Sequence, residues 1–436
     1  MTSPTPDSPA SANIPPLRFG VFRALRHPNY RLFFGGQTVS LIGSWITRVA
    51  TGWLVYRLTG SVLLLGLVGF AGQIPSLVLA PFAGVLVDRW NRHRILVVTQ
   101  VLSMLQSFAL AALSFADIIT VRDVLLLQMA QGIINAFDTP ARQSFIVQMV
   151  DDKADLPNAI ALNSSMVNLS RVIGPSIGGA IIAAVGEAWC FLIDGVSYVA
   201  VIGSLLAMRV VFKPRATTTT RMSEELRDGF RYVTSFPPIR SALLLLALVS
   251  IMGMPYTVLM PAIARNVLNG DSHTLGFLMT ASGLGALAGA LYLASRRTVI
   301  GLGRVIPTAA CTFGVGLLVF SASRNLILSL AILTVTGAGM MVTLASTNTI
   351  LQTIVEERMR GRVMSFYTMA FLGTTPIGSL IAGVVANRVG PTTTIFLGGI
   401  ACIMTGIWFA LRLPRFRELV RPIYIERGIL RGEAAP

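Results

Sequence analysis

Apolar stretches of about 20 residues or more follow one another along the chain, separated by short polar breaks. Wound as a helix, a run of that length matches the roughly 30 Å hydrocarbon core of a bilayer. The pattern predicts spanning helices over about 32–58, 62–87, 95–116, 122–146, 157–185 and 188–211, and again over 240–263, 274–294, 304–322, 326–350, 362–387 and 392–412. One connection, 212–239, is long and polar. In it Met222, Leu226, Phe230 and Val233 recur at helical spacing, with Glu224 and Glu225 in the first turn and Pro237-Pro238 at the end. That stripe predicts an amphipathic helix, which either lies on the membrane surface or docks a partner. The expected fold is an all-α integral membrane protein of twelve helices in two pseudo-symmetric six-helix bundles. They occupy 18–211 and 240–412, joined by the linker 212–239, with a disordered tail at 1–17 and a basic tail at 413–436. The first apolar run exceeds the core of a signal peptide and reads as an uncleaved helix.

Charge orients this plan. Charged residues are only 12% of the chain, about half the share in soluble domains. The net charge of +16 would suit nucleic acid if it formed one patch, but the basic residues sit at the ends of apolar runs. With the N-terminus in the cytoplasm, 28 of the 35 Lys and Arg fall inside. Five fall outside, at Arg57, Arg122, Arg265, Arg324 and Arg388, while Arg48 and Arg171 lie within spans. The positive-inside rule then puts both termini in the cytoplasm. Cys190, Cys311 and Cys402 lie far apart in or beside apolar runs, with neither disulfide nor metal spacing. No phosphate-cradling loop ending in Gly-Lys-Ser/Thr occurs, and His27, His93 and His273 lie at or beyond helix ends without a nucleophile partner. An enzyme, an ATP-driven pump and a cofactor protein are therefore not expected.

The halves repeat. A constant offset of 204 pairs Gln148 with Gln352, Ile173 with Ile377, Gly174 with Gly378, Gly179 with Gly383 and Gly186 with Gly390. Parallel six-helix repeats mark one large transporter architecture. Three motifs then carry a resemblance to the major facilitator superfamily over about residues 20–412. The hairpin between the second and third spans has Gly84, Leu86, Asp88, Arg89, Asn91, Arg92 and His93, which resembles the superfamily's loop motif with Asn91 for a Gly. Asn tolerates a positive backbone angle best after Gly, so the turn is expected to survive there. The fifth span has Ala161, Ser170, Gly174, Pro175, Gly178 and Gly179, which resembles the antiporter motif of drug exporters with its first two glycines replaced. Asp138 to Ser144 and Arg360 to Ser365 look like the subgroup of the enterobactin and macrolide exporters.

The resemblance implies a role for each motif. Asp88 is expected to latch the inner loops against the start of the eleventh span, at Arg360, Gly361 and Arg362. The second half has Leu293 where a second such Asp would stand. The antiporter motif is expected to seal the cavity, with Pro175 bending the helix. Gln128 replaces the arginine expected in the fourth span of proton antiporters. A charge at mid-bilayer costs about 2.5–3.5 kcal/mol and needs a reason. Arg48, Asp138 and Arg171 are expected to share the central cavity. Two cations against one carboxylate would favour an anionic or carboxylate-bearing substrate, with Asp138 the protonatable coupling group or else half of a structural ion pair. Asp194, near the outer end of the sixth span, is expected to be structural. Gln128, Gln131 and Asn135 line one face, as a cavity wall or an interhelical hydrogen-bond seam. Gln37, Ser40, Ser44 and Arg48 form a similar face, and Asn348, Gln352, Tyr367 and the Pro255-Tyr256 bend are candidates in the second half. Trp45, Trp53 and Phe371 read as packing.

The function these features imply is secondary export of a small amphiphilic, siderophore- or macrolide-like molecule by a monomer in the bacterial inner membrane, driven by protons. An importer or uniporter on the same fold, or a non-transporting sensor or scaffold, is the alternative.

Overall fold

The computed structural model describes residues 20–150, 152–208, 222–296 and 298–430, and among these it has sixteen α-helices and no strand. The first bundle holds α1 (Pro28–Thr59), α2 (Val62–Ala71), α3 (Ile74–Arg89), α4 (Arg92–Phe115), α5 (Val121–Met149), α6 (Leu156–Val185) and α7 (Glu187–Ala207). After α8 (Met222–Ser235), the second holds α9 (Pro237–Met252), α10 (Tyr256–Asn266), α11 (Ser272–Ser295), α12 (Leu302–Ala322), α13 (Leu326–Ile354), α14 (Glu357–Thr368), α15 (Thr374–Val389) and α16 (Pro391–Glu426). The expected N-terminal tail falls outside the described residues, whereas most of the C-terminal one is described: α16 runs as helix from Pro391 through the basic segment to Glu426.

Three predicted spans are broken. α2 and α3 part at Gly72-Gln73 ahead of Pro75, α9 and α10 part at Gly253 to Pro255, and a π turn at Met369–Gly373 divides α14 from α15 ahead of Pro376. Proline has no N–H for the carbonyl one turn back, and its ring crowds that turn. Only the Pro255 break was visible in the sequence pattern. Pro140 and Pro175 stay inside the unbroken α5 and α6. Ten helical stretches among the described residues are long and apolar enough to cross a membrane. α1 and α5, at 32 and 29 residues, also have the length but carry more polar side chains.

The repeat is visible in the turns. Gly186 joins α6 to α7 at φ +92° and Gly390 joins α15 to α16 at φ +87°, backbone angles that only glycine adopts without strain. Within the first bundle α1 packs on α6 and α7, and α4 on α5 and α7; in the second α11 packs on α13, and α12 on α13 and α16. Between the bundles two seams close one end, α6 on α11 and α2 on α15. Both are glycine seams. A Cβ on Gly276 would stand 2.6 Å from the Pro175 carbonyl oxygen, and one on Gly66 2.6 Å from that of Ser379. Gly179 and Gly383, the partners across these seams, are repeat mates.

The opposite end, where the α3–α4 hairpin lies, is more widely parted, and the bundles touch there mainly where α3 meets the π turn. Open space surrounds the missing Cβ of both Gly84 and Gly361. α8 packs on α9 and α14 of the second bundle rather than lying free, with Phe230 against Phe366 at 6.4 Å between ring centres. The side chains of Met222 and Leu226, the first part of its apolar stripe, lie outside what the structure describes.

Candidate functional site

Arg48 and Arg171 meet where the bundles face each other. Arg48 projects from the middle of α1 between the buried Thr47 and Val49, yet is itself solvent-accessible while ringed by protein. Its accessible surface lies beside the Trp45 ring, which Arg171 also reaches. Arg171 projects from the middle of α6, at the seam with α11, where Thr280 donates to the Val172 carbonyl at 3.1 Å and shares a 2.8 Å hydrogen bond with Ser176. Both guanidinium groups lie over the Trp45 ring, at 4.6 Å for Arg48 and 5.9 Å for Arg171. Each cation–π contact is worth about 0.5–2 kcal/mol, which does not cover two charges costing about 2.5–3.5 kcal/mol apiece. Among the described residues no carboxylate lies within ion-pair distance of either.

Asp138 is elsewhere. Its carboxylate accepts from Gln100 at 2.7 Å and Thr99 at 3.0 Å on α4, and pairs with Arg142, one turn along its own helix, at 3.3 Å. The expectation that Arg48, Asp138 and Arg171 share a cavity is corrected: Asp138 points into the first bundle. The i, i+4 spacing to Arg142 explains the choice, since that partner sits on the same helix face. Asp194 is buried and accepts from Ser107 at 2.9 Å. Gln131 donates to Ser103 of α4 at 3.1 Å and to Asn135 on its own helix at 3.2 Å, and Gln128 to Thr51 of α1 at 3.3 Å, so this half-buried face links α5 to α4 and α1. Gln37 is buried, which corrects its placement on the cavity.

In the second half Tyr256 is buried, its hydroxyl 2.6 Å from that of Ser282 and its ring near enough to Arg171 to interact with it electrostatically. Tyr367 donates to the Leu344 carbonyl at 3.2 Å, and Asn348 accepts from Gln352. The glycines of the fifth-span motif receive neighbouring helices. Gly174 faces Trp45 and Ile42, Gly178 faces Ile46 at 3.2 Å, and Gly179 faces α11, while Ser170 is buried beside them. At the hairpin, Asn91 is extended at φ −68° and caps α4, accepting from the backbone N–H of His93 and Arg94. The positive angle expected of Asn91 is thus corrected: Asn serves here as a helix cap. The Asp88 side chain lies outside the described residues. Arg89 is exposed, Arg92 is buried, and Arg362 pairs with Asp228 of α8 at 3.3 Å.

The sequence model of the transmembrane secretion effectors matches residues 19–422, nearly the whole chain. The chain belongs to the transmembrane secretion effector family. These are major facilitator transporters, not enzymes. This transporter is 27% identical over 393 residues to the staphyloferrin A transporter of Staphylococcus aureus, covering 88% of this chain and 96% of that one. It is 27% identical to the multidrug efflux pump Tap of Mycolicibacterium fortuitum, over 90% and 97% of the two chains. To the enterobactin exporter EntS of Shigella boydii it is 25% identical, over 90% and 94%. Its fold is that of a bacterial homologue of the human lysosomal transporter Spinster in an inward-facing, unoccupied conformation, with TM-score 0.67, 14% identity and coverage of 94% and 100%. A peptide transporter of the POT type matches with TM-score 0.71, 13% identity and coverage of 90% and 95%. The transporter is thus a multi-pass membrane protein of the major facilitator fold.

Trp45, read from the sequence as packing, carries both cations at the transporter's centre. Trp45 stands three residues before Arg48, on the same helical face, and that spacing was the available signal. Arg171 reaches the same ring from another helix, a contact without any local signature.

Proposed function

We propose that the protein exports a small amphiphilic metabolite or drug, siderophore- or macrolide-like, by alternating access coupled to proton entry. The observation that carries this reading is the pair of cations without an acid partner at the bundle interface of a chain matched end to end by efflux proteins. The molecule works as a monomer in the bacterial inner membrane, with all twelve spans crossing and both termini cytoplasmic. The parted end is then the cytoplasmic one, where substrate enters. Rocking of the two bundles about the midplane closes that end and opens the glycine seams. Asp88 latches against the start of α14 in the closed arrangement.

Asp138 is the coupling group. Protonation of its carboxyl releases Arg142 one turn away and loosens the link from α4 to α5. One proton falling through 100 mV supplies about 2.3 kcal/mol, enough for a roughly fifty-fold concentration ratio. Uptake of labelled substrate into inside-out vesicles, with and without an imposed pH gradient, tests the reading. Gradient-dependent accumulation by the wild type, lost in Asp138→Asn, is expected. Accumulation indifferent to the gradient removes proton antiport, and accumulation only in right-side-out vesicles makes the protein an importer.

A further inference from the structure

We propose that Arg48, Arg171 and Trp45 form a carboxylate-binding site, so that the transported molecule carries at least one carboxylate next to an apolar or aromatic body. This deepens the export reading and rests on it for the word "transported".

The first argument is charge. Arg48 and Arg171 meet over one indole ring, near enough to repel each other. The acids that could have neutralised them are engaged. Asp138 is held by Arg142, Glu187 by Arg57 at 2.7 Å across the outer ends of α1 and α7, and Asp155 by Arg23 and His27. Asp194 sits behind α1, against Ser107 of α4. Among the described residues, then, the protein holds two cations in its middle and supplies no anion for them.

The second argument is shape. A guanidinium presents paired N–H groups that match a carboxylate fork, and two guanidiniums on one ring can bracket a single carboxylate or take one each. Trp45 lies against both guanidiniums and attracts them without neutralising them. The same indole and the apolar side chains around it give the rest of the ligand a surface to lie on. The third argument is position. Trp45 backs onto Gly174, and Arg171 lies at the α6–α11 seam beside Gly283, whose absent Cβ would stand 3.0 Å from the Arg171 carbonyl oxygen. An anion bridging Arg48 and Arg171 therefore ties α1 to the helix that contacts the second bundle, so its arrival acts on the surface that must part.

The test uses purified full-length protein in lipid nanodiscs and two probes that differ only at the anion, dansylglycine and dansylglycinamide. Equilibrium dialysis should show the acid binding at least ten-fold more tightly than the amide. Arg48→Gln and Arg171→Gln should each weaken the acid at least ten-fold and bring its affinity down toward that of the amide. Energy transfer from tryptophan to the bound dansyl group should fall in Trp45→Phe. Both neutral variants should melt no lower than the wild type, because an unpaired cation is removed. Equal binding of acid and amide, no binding of the acid to the wild type, or unchanged acid binding in both variants overturns the proposal. Unfolding of both neutral variants also overturns it, since the arginines would then be structural. If the acid binds as expected but no vesicle accumulates substrate, the site stands and the export reading falls.

Discussion

The two bundles share a repeat but not an interior. In the first, the buried polar residues include Gln37, Gln100, Gln106, Asp138, Glu187 and Asp194; in the second, among the described residues, they are all Ser or Thr. Those hydroxyls bond mostly within their own helix: Thr336 donates to the Ile332 carbonyl, Thr343 to Gly339, Thr347 to Thr343 and Ser379 to Thr375. Such a bond needs no partner helix and leaves the packing surface apolar. In the first bundle the polar groups reach between helices, from α5 to α4 and from α4 to α7. The difference teaches a division of labour. One half carries the charges and the connections among its helices, while the other gives an inert body for it to rock against.

The sharpest way to break this comparison is at its most connected residue. Asp138→Leu strips Gln100, Thr99 and Arg142 of their shared acceptor, and breaking a buried pair in this way costs roughly 3–5 kcal/mol. A large drop in melting temperature in detergent is expected, and Asp138→Leu with Arg142→Met should recover part of it. A loss of under about 1 kcal/mol would mean that the first bundle does not depend on its polar links. Next in size is Gly276→Val, which overpacks the seam and costs about 1–3 kcal/mol. A cysteine placed at Ser272 should react several-fold faster with an impermeant maleimide in this background; an unchanged rate would show that the seam does not seal that end.

Smaller still is Thr343→Val in the second bundle. It removes one local hydrogen bond without stranding a partner from another helix, and about 1 kcal/mol or less is expected. A loss as large as that of Asp138→Leu would erase the distinction between the halves. The smallest effect belongs to Asp228→Ala. Its pair with Arg362 is half-exposed, so about 0–1 kcal/mol is expected, vanishing in high salt.

Much of this was legible in the sequence because bilayer solvation writes itself into runs of apolar residues. The helices, the repeat, the amphipathic α8 and the family followed from length, spacing and motif. What was not legible was direction. Composition marks Asp138 and Arg171 alike as charges in mid-span, but which neighbour each faces depends on helix rotation about its axis. Asp138 turned toward α4 and found Arg142 on its own face, while Arg171 turned toward α1. Gln37 failed as a cavity residue for the same reason. Asn91 failed differently: the same side chain suits a left-handed turn and a helix cap, and the following Arg92–Phe115 helix decided for the cap.

The glycine seams have a further consequence for speed. Helices that mesh through large side chains must withdraw them in concert before they separate, and the barrier grows with the number of rotamers exchanged. Where Gly66 meets Gly383 and Gly179 meets Gly276, backbone rests on backbone and there is little to withdraw. Parting such a seam means wetting two strips of peptide surface, so the helices can roll apart as a bearing does. The rate of opening would then follow how readily water enters the strip, and a methyl group added at Gly66 or Gly179 would act as grit in that bearing.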